Sequence, residues 1–435
     1  MVPAVRSALV AACPSLREAD VADAIGELTP TFAASPASTS EASELLRAAA
    51  GYGLAVVPRG AGLGLGWGQP PAACDLVVDT RSMDQVIEHA AGDLVAQVQA
   101  GTTIGQLAAV LAAAGQELAL DAPADATVGG VIATGMAGPR RLRYGAPRDL
   151  LIGLTVVRAD GVVAHSGGKV VKNVAGYDLG KLFAGSQGTL GLITEATFRL
   201  HPLPAAVAYV TAEFGPGDSA AAAAAVADAA GSALVPSAVD LDWPGGTQRT
   251  LRVGVLLEGT SSGVAERVTQ MSELLTSGRP AAAEAAVSEA PPPRWGQLPS
   301  PSTVIRLAFW VKQLPGVLEG LSIAARIAGT RPAVSGPAGA GVLYACLDPG
   351  TEHDTAVRFA LELRDGLNSG GWLRGASGSL GLGNPQGSVA VLAGPPAVLT
   401  AAQGYGKVPG APLMRAIKDQ FDPDHRMFPG RLAAI

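Results

Sequence analysis

A loop with a glycine at every second position stands near the start of the chain, at residues 58–66 (PRGAGLGLG). Because glycine has no Cβ atom, the backbone N–H groups of such a loop can converge on an anion such as phosphate. Arg59 adds a guanidinium, a group that suits phosphate recognition. The alternative is a tight structural turn. The spacing matches neither G-x-G-x-x-G nor a loop that ends in G-K-[ST], which disfavours a Rossmann or P-loop site here.

Two further loops are rich in small residues. Residues 125–135 (DATVGGVIATG) contain the hydroxyl groups of Thr127 and Thr134, and residues 185–195 (GSQGTLGLITE) begin with a glycine at every third position. Each of the three loops lies beside a predicted strand. Either of these two loops alone fits simple packing, but the three together indicate one extended ligand that lies along them.

One other segment matches a dinucleotide-binding pattern. Residues 215–220 read G-x-G-x-x-A between a predicted strand and a predicted helix, and Asp240 follows at about the expected separation. Asp218 and Ser219, however, place a negative charge and a helix N-cap where a pyrophosphate would bind. We therefore interpret this segment as a helix cap and not as a cofactor loop.

Short strands and helices must position these loops. Apolar or alternating runs predict strands, and helical periodicity after N-cap residues predicts helices. The predicted strands are 54–57, 76–79, 94–99, 151–158, 190–200, 207–214 and 251–257. The predicted helices are 41–50 behind the caps Thr39 and Ser40, a segment from Thr103 to about 114, 219–230, and the first part of the tail 412–431. This mixture leaves both α/β and α+β folds open.

The composition excludes several classes of protein. Apolar residues make up 48% of the 435 residues and charged residues 16%, which excludes a disordered chain. The 31 basic and 37 acidic residues include no basic run, so we expect no nucleic-acid partner. The cysteines Cys13, Cys74 and Cys346 lack the spacing of a disulfide framework or a metal cluster. Since neither a signal peptide nor a long apolar run is present, we expect a cytoplasmic protein without a transmembrane segment.

Read in chain order, the three loops resemble the FAD-binding domain of the vanillyl-alcohol oxidase / p-cresol methylhydroxylase (PCMH) flavoprotein superfamily. Three segments narrow the resemblance. Residues 138–149 (GPRRLRYGAPRD), 167–195 (GGKVVKNVAGYDLGKLFAGSQGTLGLITE) and 421–431 (FDPDHRMFPGR) are similar to the FAD-binding E subunit of bacterial glycolate oxidase. The middle of the chain contributes few distinctive motifs.

The resemblance implies an α+β fold with a PCMH-type two-part FAD-binding domain at 1–207. It further implies an α+β cap domain on the substrate side at 208–395, and a C-terminal segment, 396–435, that returns to the FAD-binding domain. The FAD contacts that it implies are Pro58, Arg59, Gly60, Ala61, Gly62, Leu63, Thr127, Val128, Gly129, Gly130, Thr134, Gly188, Gly191 and Ile193. Some members of the superfamily attach FAD through a His or Cys in the first loop. Residues 58–66 contain neither, so we expect non-covalent FAD.

Oxidation of a 2-hydroxy acid needs a cation for the carboxylate, a base for the hydroxyl proton and a flavin to accept hydride. Dehydrogenases similar to this fold use a His-x-His pair in the cap, often with a metal. This chain has no His-x-His, so we expect no metal site. The catalytic candidates are Lys172 and Arg431, each of which could instead be an ordinary solvated side chain. The basic cluster in 140–143 either binds phosphate or forms salt bridges.

These observations favour an FAD-binding subunit of a glycolate oxidase complex. The complex would oxidise a small 2-hydroxy acid to a 2-oxo acid, and this chain would catalyse that step or relay its electrons through flavin. A partner FAD-dependent subunit and an iron–sulfur subunit would complete the assembly, with peripheral association at the inner face of the membrane left open. Two alternatives remain: a non-catalytic assembly subunit with structural FAD, which the missing His-x-His favours, and a stand-alone FAD-dependent hydroxy-acid dehydrogenase.

Overall fold

The computed structural model describes residues 2–168, 177–215, 217–245, 250–278, 284–297, 303–369 and 387–432. Its helices are α1 (Val2–Ala12), α2 (Thr39–Gly51), α3 (Ile104–Ala112), α4 (Val128–Thr134), α5 (Arg141–Tyr144), α6 (Pro147–Leu150), α7 (Ser219–Gly231), α8 (Ser261–Thr276), α9 (Leu314–Ala328), α10 (His353–Ser369), α11 (Pro396–Ala401) and α12 (Ala411–Phe421). None of the helices in these ranges combines the length and the apolar character that a bilayer span needs.

The strands run in chain order as follows. They are β1 (Arg17–Glu18), β2 (Phe32–Ala34), β3 (Val56–Arg59), β4 (Leu76–Asp79), β5 (Val86–Ala90), β6 (Val95–Gln99), β7 (Gln116–Glu117), β8 (Leu151–Val157), β9 (Val163–Gly167), β10 (Leu192–Arg199), β11 (His201–Pro202), β12 (Ala206–Phe214), β13 (Ala238–Trp243), β14 (Leu251–Gly259), β15 (Ala286–Ser288), β16 (Thr303–Phe309), β17 (Ala333–Gly336), β18 (Val342–Leu347) and β19 (Gly387–Ala393).

The chain divides into two compact units. Unit 1 comprises Met1–Ala137, Gly145–Leu203 and Lys407–Ile435, and unit 2 comprises Gly138–Tyr144 and Pro204–Gly406. Unit 1 is therefore assembled from three separate stretches of sequence. The divisions at 203/204 and 406/407 lie four residues before and eleven residues after the boundaries at 207/208 and 395/396 that the resemblance implies, and the predicted domain bounds stay a prediction.

Unit 1 contains two main sheets. In the first, the strands follow the order β1-β2-β4-β3, and β4 pairs in parallel with both β2 and β3. The second sheet is antiparallel, in the order β5-β6-β10-β8-β9. Helices α1 and α2 cover the parallel sheet, while α3 and α4 pack with β6, β8 and β10 in a separate apolar core. Parallel and antiparallel sheets in segregated layers with helices are the α+β arrangement.

Helix α2 shows how the sequence sets these elements. Its buried positions, 42, 45, 46 and 49, repeat at helical spacing and face the apolar core of the parallel sheet. The predicted caps Thr39 and Ser40 are wrong, because both residues already belong to the helix. The cap is Ser38, whose extended backbone lets its side chain accept the N–H of Glu41 at 3.1 Å.

The C-terminal segment after α12 adds to the open edge of the parallel sheet. Met427 pairs in parallel with Val56 of β3, since the N–H of Val56 donates to the Arg426 carbonyl and the N–H of Phe428 donates to the Val56 carbonyl, both at 2.8 Å. The Arg426 guanidinium donates to the carbonyl of Ala159 at 2.6 Å. These bonds hold the last described residues beside the strand that leads into the first glycine-rich loop.

Unit 2 is built on one antiparallel sheet in the order β15-β12-β14-β13-β17-β18-β16-β19. Alternate side chains of β14 and β16, for example Val253, Val255 and Ile305, face a large apolar core that helices α7, α8, α9 and α10 complete. On the opposite face, Asp242 accepts a hydrogen bond from Arg252 at 2.6 Å and lies 2.8 Å from the Arg294 guanidinium. Burial raises the pKa of Asp242, and these arginines oppose that effect.

Candidate functional site

The three glycine-rich loops meet at one cavity in unit 1. Its empty volume, counting the space at its mouth, is about 780 Å³. The first loop begins at the end of β3, the second leads into α4 and the third leads into β10. The three segments that the sequence set apart as possible ligand loops therefore lie side by side in the structure.

Most of the residues that the resemblance implies as cofactor contacts line this cavity. They are Pro58, Arg59, Gly60, Ala61, Gly62, Leu63, Thr127, Gly129, Gly130, Thr134, Gly188, Gly191 and Ile193. Val128 does not line it, because its side chain is fully buried in the core beside α4. For all of these residues, contact with a cofactor stays a prediction.

The first and second loops approach each other where glycine replaces a side chain. A Cβ atom on Gly60 would overlap Oγ1 of Thr127 and lie 3.1 Å from its Cβ. A Cβ atom on Gly64 would lie 2.5 Å from Cγ2 of Thr134. The alternating glycines therefore permit close packing of two backbones, which a larger residue would force apart.

Backbone hydrogen bonds join the third loop to the end of α4. The N–H of Gly185 donates to the Ile132 carbonyl at 2.9 Å, and the N–H of Gln187 donates to the Ala133 carbonyl at 2.7 Å. Gln187 adopts a left-handed conformation with φ 54°. This backbone conformation is uncommon for a residue other than glycine, and it lies in the turn that brings the loop along the cavity wall.

The hydroxyl of Thr127 is the most informative polar atom in the cavity wall. Thr127 is 1% exposed, and its Oγ1 has no hydrogen-bond partner among the described residues. A buried hydroxyl without a partner costs about 1–3 kcal/mol. A ligand oxygen bound in the cavity would satisfy this atom.

Arg59 belongs to the cavity wall, but its guanidinium points to two buried carboxylates. It lies 2.9 Å from Asp23 and 3.1 Å from Asp79. Hydrogen bonds from Arg17, and to a lesser extent from Arg59, hold the pKa of Asp23 well below its usual range. Burial would raise the pKa of Asp79, but hydrogen bonds from Arg81 outweigh it and lower the pKa. The side chain therefore fixes the base of the first loop.

Arg431 lies in the same wall and is 2% exposed. Its guanidinium donates to the carbonyls of Gly64 and Leu65, at 2.6 and 2.8 Å, and to Oε1 of Gln187 at 3.0 Å. It also stacks over the ring of Phe428, 4.6 Å from the ring centroid. The prediction that this residue reaches the pocket fits its position, whereas its catalytic role stays a prediction.

Other residues of the cavity wall were not among the predicted cofactor contacts. The additional lining residues include Thr80, Met136, Gln187, Leu192 and Phe428. Thr80 follows β4 and donates to the carbonyl of Arg59 at 3.2 Å. Only the pairing of β3 with β4 brings it near the first loop, and no local pattern signals this. Lys172, the other predicted catalytic residue, lies outside the described residues.

The basic cluster in 140–143 belongs to unit 2. Arg140 lies 3.6 Å from the carboxylate of Glu258, and the Tyr144 hydroxyl donates to the same carboxylate at 3.0 Å. Arg143 donates to Oγ of Ser237 at 3.3 Å. Of the two interpretations of the cluster, salt bridging is the one that these contacts match.

The segment 215–220 leads into α7 and includes its first two residues, as the interpretation of a helix cap requires. Asp218 occupies the N-cap position, although its side chain makes no capping hydrogen bond. Pro216 lies outside the described residues. Asp240 is buried in the middle of β13.

Comparisons with known proteins agree with this site. An FAD binding domain family model matches residues 30–167, which contain the first two loops. Over 218 residues the chain is 31% identical to glycolate oxidase subunit GlcD of Bacillus subtilis, and this alignment covers 49% of this chain and 46% of that protein. It is 35% identical over 182 residues to a probable mitochondrial D-lactate dehydrogenase of Danio rerio, which covers 41% and 37% of the two chains. The matches thus span less than half of these relatives.

The fold is shared with a protein of solved structure. The structure of p-cresol methylhydroxylase with bound substrate superposes with a TM-score of 0.74 over 99% of this chain and 96% of that one, at 16% sequence identity. At this identity the likeness concerns the fold alone. It confirms the prediction of an α+β fold of the PCMH type.

The residues of the cavity fit FAD. The unpartnered Thr127 hydroxyl offers a hydrogen bond to a ligand oxygen, and the glycines of the first loop line the cavity without side chains that would cover the backbone. No His or Cys is found among the described residues that line the cavity. The prediction of FAD as cofactor is confirmed by the family match. Residues 30–167 therefore form an FAD-binding domain.

Proposed function

We propose that the chain is the FAD-binding subunit of a glycolate-oxidising complex. It would oxidise a small 2-hydroxy acid to a 2-oxo acid, or relay the electrons of that oxidation through its flavin. The observation that carries the proposal is the convergence of three glycine-rich loops on one cavity within an FAD-binding domain. The names of two relatives point to the substrate class, since glycolate and D-lactate are both 2-hydroxy acids.

Several residues of the cavity would bind the cofactor. The first loop, with Gly60 and Gly62, would present backbone N–H groups to the pyrophosphate. Thr127 and Thr134 line the wall beside it. The hydroxyl of Thr134 already donates to the carbonyl of Gly130 at 2.8 Å, whereas the hydroxyl of Thr127 has no partner among the described residues and could donate to FAD. When bound, FAD supplies the two-electron acceptor that oxidation of a hydroxy acid requires.

The finer identity, the E-type subunit, is also part of the proposal. It is supported by the segments 138–149, 167–195 and 421–431, the last of which supplies Phe428 and Arg431 to the cavity. The proposed partners are a second FAD-dependent subunit and an iron–sulfur subunit. The relative GlcD is itself named as one subunit of a glycolate oxidase, which is consistent with a multi-subunit assembly.

A non-catalytic assembly role with structural FAD is the second candidate. The observation that favours it is the absence of His-x-His from the whole sequence. In this case the cavity would hold FAD without turnover, and another subunit would perform the oxidation.

The test is anaerobic reduction of bound flavin by glycolate and by D-lactate. The chain is purified alone and with its natural partners, and the visible flavin absorbance is followed. Bleaching of this chain's flavin in either preparation supports the proposal, and bleaching only in the complex identifies a relay. FAD that binds but is never reduced by substrate would instead establish the assembly role.

Thr127→Val supplies a matched variant for this test. It preserves the shape of the side chain and removes a hydroxyl of the cavity wall that has no partner among the described residues. We expect FAD binding to weaken by about 5- to 30-fold, since a hydrogen bond to a ligand contributes roughly 1–2 kcal/mol. An unchanged affinity would show that the Thr127 hydroxyl does not bind FAD.

A further inference from the structure

Arg431 connects three segments that are far apart in the sequence. It follows the C-terminal turn, and its guanidinium donates to the carbonyls of Gly64 and Leu65 in the first loop, to the carbonyl of Gln69 just beyond that loop, and to Gln187 in the third loop. The distances are between 2.6 and 3.2 Å. We call this set of contacts the Arg431 bridge.

We propose that Arg431 is a positioning residue for the FAD cavity. The Arg431 bridge holds the first and third glycine-rich loops in the arrangement that receives the cofactor. The inference rests on the proposed use of this cavity for FAD, and it differs from a catalytic role because the residue acts through the loops. Its guanidinium is directed at protein oxygens, which hold it in position.

The chemistry of the first loop explains why such a residue is needed. Its glycines offer no side chains through which the loop could be fixed, so the backbone carbonyls are the available attachment points. A guanidinium suits this task, since it presents several N–H donors in a fixed planar fork. Lysine, with a single nitrogen on a flexible stem, could not reach the same set of carbonyls and the Gln187 side chain together.

The turn that presents Arg431 is itself fixed in place. Nζ of Lys418 donates to the carbonyls of Thr189, at 2.6 Å, and Met427, at 3.0 Å, and to the carboxylate of Asp422. The carboxylate of Asp422 in turn accepts the N–H of Met427 at 2.7 Å. Pro429 contributes its carbonyl to the N–H of Ala72 at 2.8 Å. The Arg431 bridge therefore extends from a rigid support.

The experiment compares Arg431→Lys and Arg431→Met with the wild-type full-length chain. Arg6→Met, an exposed arginine on α1 of the same unit, is the matched control. FAD affinity is measured by fluorescence titration, and hydrogen exchange of the amides in 60–69 is measured in FAD-free protein. The flavin spectrum and its reduction by dithionite are recorded at saturating FAD.

We expect both Arg431 variants to bind FAD at least about tenfold more weakly, equivalent to about 1.4 kcal/mol. Exchange at 60–69 should be faster in both, while the spectrum and the reduction of the saturated flavin should match those of the wild type. Arg431→Lys keeps the charge and provides the comparison if Arg431→Met does not fold. The control should behave as wild type.

Two results would overturn the inference. Unchanged exchange at 60–69 with unchanged affinity would show that the Arg431 bridge does not shape the loop. Unchanged affinity with an altered spectrum or altered reduction of the flavin would assign Arg431 to the reacting atoms instead. If the wild-type chain bound no FAD, the proposed function would fail, and loop exchange in the variants would still decide the role of Arg431.

Discussion

Gly60→Ala tests the closest approach in the candidate site. The added methyl group would overlap Oγ1 of Thr127 and lie 3.1 Å from its Cβ, in a wall where Thr127 is 1% exposed and has little room to move. Forcing an extra methyl group into a packed position costs about 1–3 kcal/mol. If the loops separate to relieve the overlap, the conformation that binds FAD is destabilised by this free energy, and the affinity for FAD should fall by about 5- to 150-fold.

The assay is FAD titration of the apoprotein, with thermal unfolding measured on the same samples. Gly66→Ala is the control, because it changes the same loop at a position where a Cβ atom meets nothing within 4 Å and φ is not in the left-handed region. Gly64→Ala should give an intermediate loss, since its Cβ would lie 2.5 Å from a methyl carbon of Thr134.

A double variant identifies the cause. Thr127→Ala removes the overlapping Oγ1 and leaves the two Cβ atoms 3.1 Å apart. The thermal destabilisation caused by Gly60→Ala should therefore be smaller on the Thr127→Ala background than in the wild type, because residues in contact are not additive. Equal losses on both backgrounds, or equal effects of Gly60→Ala and Gly66→Ala on FAD affinity, would refute the steric argument.

Two further predictions concern charges and thiols. Since Arg17 and Arg59 hold the pKa of Asp23 below its usual range, the stabilising effect of the Asp23 carboxylate is present above about pH 4 and is lost as the pH falls through the folded pKa. Asp23→Asn should therefore lower Tm at pH 7, and the difference from wild type should narrow in acid. The control Glu44→Gln, at an exposed carboxylate, should change Tm little. Burial raises the pKa values of the three thiols, to about 11 for Cys13 and about 12 for Cys74 and Cys346. We expect slow labelling by a thiol reagent at neutral pH in the folded protein and labelling of all three after denaturation; rapid labelling of the folded protein would contradict this.

Much of the fold could be predicted from local sequence. The strand at 76–79 and the helix at 219–230 agree with β4 and α7 within a residue, because apolar runs and turn residues define both ends. Thr103 caps α3 as predicted, through a reciprocal pair of hydrogen bonds with Gln106. The strand at 54–57 lies two residues later in the structure, since parallel pairing with β4 places β3 at Val56–Arg59. Pairing with a distant strand leaves no local signal.

The candidate site was predictable to the extent that it consists of glycine loops. Their spacing identified three of the segments that form the cavity, whereas Thr80 lies outside all of them and has no motif that marks it. Val128 shows that a residue within a loop motif need not line the cavity. It lies within the second loop motif, yet its side chain turns into the core while the adjacent Gly129 lines the cavity. Sequence spacing identifies a loop, but the direction of each side chain depends on the packing of the helix that follows it.

Buried cations compensate for what the glycine loops lack. Glycine provides the close approach and the open backbone groups that a pyrophosphate needs, but it provides no side chain to hold the loop in shape. In the C-terminal segment, Lys418 bonds the Thr189 carbonyl of the third loop, Arg426 bonds the Ala159 carbonyl and Arg431 bonds carbonyls of the first loop. All three side chains are at most 7% exposed, in a chain of which charged residues are only 16%. Because each bonds backbone oxygens in segments distant in the sequence, the shape of the cavity depends on residues that no loop motif contains. A variant that leaves every glycine intact but removes these cations should therefore lose FAD affinity as surely as Gly60→Ala.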